Sequence, residues 1–112
     1  MNHRGGNGCF AMPYALLENK KFEGLTLEAK MLYTVLLDKI FEETGVLYYY
    51  SSEIKKEYDV AVTEEEVRFL VQNEMELTAF VEELQEVELV KKMVLVDGVY
   101  RARVVYFGAV LK

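Results

Sequence analysis

The sequence predicts an α+β fold in which a helical core is followed by a C-terminal β-hairpin. Three observations predict it. Apolar residues from Ala29 to Phe41, and again from Leu77 to Val87, recur at helical spacing. Two runs rich in β-branched and aromatic residues, Leu89–Val96 and Val99–Phe107, come after them. Asp97-Gly98 joins these runs, and a two-residue hairpin turn needs the positive φ that such a dipeptide tolerates.

The 112 residues suit one domain, long enough to bury roughly two thirds of its unfolded surface. A hydrophobic content of 52% supplies the core and argues against disorder. Residues 1–10, polar and carrying Gly5, Gly6 and Gly8, read as a flexible tail, and residues 11–112 as a single domain. One cysteine, Cys9, excludes an internal disulfide framework. The tail lacks the apolar stretch of a secretory signal, and no apolar run approaches the ~20 residues of a membrane span, so a cytoplasmic protein is expected.

Along the chain, Pro13 suits the first position of a short helix ending near Glu18, with a turn over 19–24. Thr26 is placed to cap the central helix, Leu27–Glu43. Glu28 lies in its first turn, where the helix dipole favours a negative charge, and Gly45 follows its end. Ala29, Leu32, Tyr33, Leu36, Leu37, Ile40 and Phe41 form its buried side. Val46–Tyr50 reads as a short strand, and Ser51 or Ser52 as the cap of a short helix to about Tyr58. Thr63 with Glu66 fits a capping box before Val67, Leu70 and Val71. Asn73 with Glu76 repeats that start signal for a helix burying Leu77, Phe80, Val81, Leu84 and Val87. Helix, turn, helix and hairpin is the order of a winged helix-turn-helix, with the hairpin as the wing.

Charge is unevenly spread. From Glu57 to Glu88 there are eleven carboxylates against the single cation Arg68, a net of −10, whereas the whole chain carries −6. The remainder is therefore mildly basic.

Two stretches carry a resemblance. Phe10-Ala-Met-Pro-Tyr-Ala-Leu-Leu-Glu-Asn-Lys-Lys-Phe-Glu-Gly-Leu, continued by Glu28-Ala-Lys-Met-Leu-Tyr-Thr-Val-Leu-Leu-Asp38, resembles the N-terminal domain of plasmid replication initiators. Thr63–Lys92, ending Glu83-Leu-Gln-Glu-Val-Glu-Leu-Val-Lys-Lys92, is similar to the helix-turn-helix of that family and of phage replisome organisers. Together they span about half the chain. The resemblance implies a winged helix that binds origin DNA at the front of a longer protein. A chain ending after the wing is not expected to be a complete initiator.

The second helix of the pair departs from that pattern. The family offers Lys, Arg, Gln or Asn to the groove, whereas Asn73–Glu88 holds six glutamates and no base. Affinity for DNA comes largely from neutralising phosphates, which carboxylates oppose, and six Glu cannot all be cytosine readers. Groove reading by this helix is therefore not expected. A face of one sign can be a solubility device, but here it stands where the family binds, and Lys for i,i+4 pairing is missing from it. The leading expectation is a phage or plasmid protein that uses Glu74, Glu76, Glu82, Glu83 and Glu86 to bind a basic protein surface. Such a face imitates nucleic acid and can inhibit a host enzyme that handles it, as anti-CRISPR proteins of mobile elements do. The alternative is a DNA-binding initiator fragment or transcriptional regulator using Lys91, Lys92, Arg101 and Arg103 on phosphates, with Lys55 and Lys56 in support. Those wing cations equally fit the protection of an edge strand.

The Tyr48–Tyr50 run reads as core, with a homodimer or partner contact as the other use of it. His3 and Cys9, alone in a tail, make neither a metal site nor a nucleophile pair. Gly5-Gly6-Asn7-Gly8 precedes no Gly-Lys-Ser/Thr and cradles no phosphate. Glu82-Glu83 lies on a helix surface with no pocket to raise one pKa. Neither an active site nor a cofactor is expected.

Overall fold

Ala29, Leu32, Tyr33, Val35, Leu36, Leu37 and Ile40 of one helix are all buried, and the remaining elements are arranged around them. The structure is a computed structural model and describes residues 14–18, 20–44 and 55–107. The expectations about the tail with His3 and Cys9, Pro13, Gly45, the Val46–Tyr50 strand, the tyrosines and the capping serines lie outside the described residues.

The elements run α1 (Tyr14–Glu18), a single 3-10 turn (Lys20–Phe22), α2 (Leu27–Thr44), β1 (Lys55–Thr63), α3 (Glu64–Val67), α4 (Glu74–Glu86), β2 (Val90–Val96) and β3 (Val99–Phe107). The fold is α+β, with four α-helices and one three-stranded antiparallel sheet of order β1-β3-β2 among the described residues. One apolar core joins Leu16, Phe22 and Leu25 to α2, α4 and the inner face of the sheet.

The start and stop signals are local and mostly sit where the sequence puts them. The Thr26 hydroxyl accepts from the Ala29 N–H at 3.1 Å and caps α2. Thr63 and Glu66 form the reciprocal capping box of α3, and the Asn73 side chain accepts from the Glu76 N–H at the start of α4. Asp97 and Gly98 have φ of 53° and 81°, both in the left-handed region that the tight hairpin turn requires. Of the apolar stripe on α4, Leu77, Val81 and Leu84 are buried, and Phe80 and Val87 are partly covered.

One element differs in kind. The segment read as a helix up to Tyr58 is a strand from Lys55 onward. The serines before it suggested a helix cap, but from Glu57 the chain alternates. Val60 and Val62 are buried with Tyr58 against the core, while Glu57, Asp59 and Thr63 face out. The open flank of β3 supplies the partner, pairing Lys55 with Phe107 through to Thr63 with Val99. Tertiary hydrogen bonding outweighs propensity here. The 19–24 turn also contributes more than a turn: Phe22, within it, is a core residue.

α4 ends on a motif that the sequence does not announce. The Leu89 N–H donates to the Leu84 carbonyl at 2.9 Å, and the Glu88 N–H to the Gln85 carbonyl at 3.1 Å. This is a Schellman stop, with Glu88 at φ 66° where glycine is usual. Leu84 and Leu89, both fully buried, supply its apolar contact. The left-handed conformation strains a residue with a Cβ, so Glu88→Gly is expected to stabilise the fold by roughly 0.5–1 kcal/mol. Thermal melting should show this as a rise of a few degrees.

Candidate functional site

The acidic helix face is built on α4, and the structure sorts its carboxylates into two groups. Glu83 does not point to solvent. Its two oxygens accept from the Thr26 N–H at 2.8 Å and from the Thr26 hydroxyl at 3.0 Å. Thr26 is also the cap of α2, so Glu83 places a negative charge at the positive end of the central helix dipole. It ties the last turn of α4 to the start of α2. Glu76 is occupied locally: its carboxylate accepts from the Gln72 N–H at 2.8 Å, while its own N–H bonds Asn73. Glu74, Glu82 and Glu86 remain exposed, with Thr78, Ala79 and Gln85 between them and Met75 81% exposed. Of the five expected contact residues, three thus stand on the outward face, and two hold the helix in place.

Another acid does similar work from α3. Burial by itself pushes the Glu66 carboxyl up, but the Lys39 ammonium at 2.7 Å and the Thr63 N–H outweigh it and lower it below its ordinary value. Lys39 lies on α2, so this pair fastens α3 to the same central helix.

The cations of the β2–β3 hairpin are sorted too. Arg103 donates to Asp59 at 2.9 Å and to Glu57 at 3.0 Å, and Lys91 reaches Glu57 at 2.6 Å. A chain of alternating charge, Asp59–Arg103–Glu57–Lys91, therefore crosses all three strands. Glu57 is held below its ordinary carboxylate value by hydrogen bonds from Lys91 and then Arg103. Arg103 is raised by Asp59 and Glu57 in turn. Lys92 and Arg101 stay exposed, Arg101 on the outer sheet face with Arg103 as the strand alternation requires. Among the described residues they form no ion pair. Lys55 and Lys56 lie in β1, and their side chains are outside the described residues.

A cleft separates α4 from the β2–β3 hairpin. Leu77, Val81, Leu95 and Tyr100 form its floor, and Glu74 and Glu82 its rim. Tyr100 is buried, and its hydroxyl is pushed up by that burial and by the nearby Glu64 and Glu74 carboxylates. The sequence reading missed this cleft and Tyr100 with it, because only the packing of α4 over the hairpin creates them. Among the described residues no cluster of His, Cys, Asp or Glu could hold a metal ion, and no helix is long and apolar enough to cross a membrane.

Two measurements check these assignments. Glu83→Ala should destabilise the fold by about 1–2 kcal/mol, the scale of a lost helix cap, whereas Glu82→Ala should leave denaturant unfolding almost unchanged. Lys39→Met should cost roughly 0.5–1 kcal/mol at neutral pH once solvent screening of this half-covered pair is allowed for. Glu66 is lowered in the folded state, so its contribution is complete above the ordinary value of 4.5 and fades as pH falls through the lowered one. Melting curves of wild type and Lys39→Met should therefore converge on acidification.

Compared with models of protein families, with curated proteins and with solved structures, the chain matches none.

Proposed function

We propose that this chain is a non-catalytic protein-binding module, a winged helix whose second helix presents carboxylates to a basic surface. The winged-helix reading is supported by the order of elements: α3, a turn and α4 come before the β2–β3 hairpin, and the hairpin's second strand pairs with a strand preceding the helices. It agrees with the resemblance to plasmid initiators and phage replisome organisers, and so with a mobile-element origin.

One observation carries the functional reading. The outward face of α4 shows Glu74, Glu82 and Glu86 and no cation, at the position where a DNA reader needs positive charge. The sheet adds weight, since Lys91 and Arg103 are already neutralised by Glu57 and Asp59. Those two acids would themselves repel a phosphate drawn to the wing. The partner that fits is the cationic groove of a nucleic-acid-handling protein, and occupying that groove would inhibit it.

The second reading, direct DNA binding, rests on exposed Lys92 and Arg101. Two cations release few counterions, so binding through them would be weak and easily lost to salt.

Capture of nucleic-acid-binding proteins by the immobilised chain, released by heparin as a competing polyanion, tests the first reading. The variant Glu74→Lys/Glu82→Lys/Glu86→Lys should melt close to wild type and bind those proteins ~100-fold or more weakly, at upwards of roughly 1 kcal/mol per reversal. Retention of the same proteins by the variant would remove the acidic face from consideration. A duplex-DNA gel shift at low salt should show no retardation, and a salt-sensitive shift would favour the second reading.

A further inference from the structure

Among the described residues the sheet ends at β2, and this edge is open along part of its length. In the order β1-β3-β2, only β3 flanks it among the described residues. A two-residue turn makes Val96 and Val99 a hydrogen-bonded pair, and such pairs alternate along an antiparallel ladder. Val94 opposite Arg101 and Lys92 opposite Arg103 therefore also turn their backbone groups to β3. Met93 and Leu95 turn theirs the other way. Upstream, the register breaks between Val90 and Lys92, and the Gln85 side chain donates to the Lys91 carbonyl at 3.3 Å. The open length thus starts at Met93. Val94, Leu95 and Val96 along it are 40%, 42% and 45% exposed, an apolar edge of the kind that folded proteins ordinarily cover or charge.

The cleft beside α4 runs along this edge. Side chains alternate across a strand, so every second residue of a chain laid against β2 would lie over the apolar floor of the cleft, below Glu74 and Glu82. Lys and Arg suit that position, because their methylene stems cover apolar surface while their charged ends reach carboxylates.

We propose that the open edge of β2 accepts an extended basic segment of a partner protein as a fourth strand. Met93 and Leu95 provide the main-chain hydrogen bonds. Alternate Lys or Arg side chains of the segment cross the cleft to Glu74 and Glu82, and the apolar residues between them lie beside Val94 and Val96 on the other face. The proposal rests on the basic-partner reading above and names the form the partner takes. Charge selects this occupant over a second copy of the chain: antiparallel pairing of two β2 edges would set two acidic α4 helices side by side on one face of the joined sheet.

The probe is a capped, dye-labelled synthetic peptide alternating Lys and Val, titrated with the full chain and followed by fluorescence anisotropy. It should bind, and a peptide alternating Glu and Val should not. Methylating the backbone nitrogens on the hydrogen-bonding side of the Lys–Val peptide should weaken binding roughly tenfold or more with the protein unaltered. Leu95→Pro should do the same, since it removes a donor that makes no bond to β3 and proline is tolerated at such edges. Glu74→Gln/Glu82→Gln should also weaken binding by about tenfold. Equal affinity for the methylated peptide would reduce the interaction to unspecific charge attraction and overturn the proposal, as would no binding of any peptide. Sedimentation showing that the chain pairs with itself through this edge, in a manner abolished by Leu95→Pro, would overturn it as well. In the heparin-release experiment, partners kept by Leu95→Pro but lost on glutamate reversal would leave the acidic-face reading standing and refute strand addition. Partners kept by both variants would refute both.

Discussion

The burial of α2 on nearly all sides is the constraint on which the other elements depend. Leu32, Tyr33 and Leu36 are fully inaccessible, and Thr34 and Val35 are covered as well, so no face of the helix's middle is left to solvent. A helix in that position must be reached from several directions. Polar contacts then fix where each neighbour sits: Glu83 of α4 on Thr26, Glu66 of α3 on Lys39, and the Tyr33 hydroxyl on the Val105 carbonyl of β3 at 2.7 Å. Apolar burial supplies the drive, and these directional bonds select one arrangement among many that would bury similar area.

This division of labour bears on the charge of the molecule. A sequence with so many glutamates in one segment looks uniformly acidic there. In three dimensions the carboxylates have different tasks. Glu66, Glu76 and Glu83 satisfy backbone N–H groups at or beside helix starts, while Glu57 and Asp59 neutralise Arg103 and Glu57 also pairs with Lys91. On α4 itself the carboxylates that stay exposed with no such bond are Glu74, Glu82 and Glu86, gathered on one helix face beside an apolar cleft. A few carboxylates next to apolar surface are more selective than a diffuse negative field, because whatever meets them must match shape as well as sign.

The same holds for the β2–β3 hairpin. Counted along the chain, four cations near the turn look like a phosphate-binding hairpin. Pairing across the sheet withdraws two of them and leaves Lys92 and Arg101. The exposed Val94, Leu95 and Val96 then become the more unusual feature of the hairpin, and they lie on the edge that faces the α4 cleft.

What the sequence by itself determined is whatever is settled within about one helical turn of chain. The Thr26, Thr63 and Asn73 caps each accept from an N–H three residues on, and the Asp97-Gly98 turn closes on its immediate neighbours. The periodic burial of α4 was legible for the same reason, whereas the stripe read on α2 did not show that Thr34 and Val35 are buried beside it. Only the tertiary structure decided that Lys55–Thr63 is a strand, since its partner β3 comes some forty residues later. Only it decided which acids are free, because Glu83 meets Thr26 across 57 residues and Arg103 meets Glu57 across 46. A carboxylate's composition and spacing give its charge. Whether that charge is spent inside the fold or offered outside it depends on which donor the folded chain brings to it.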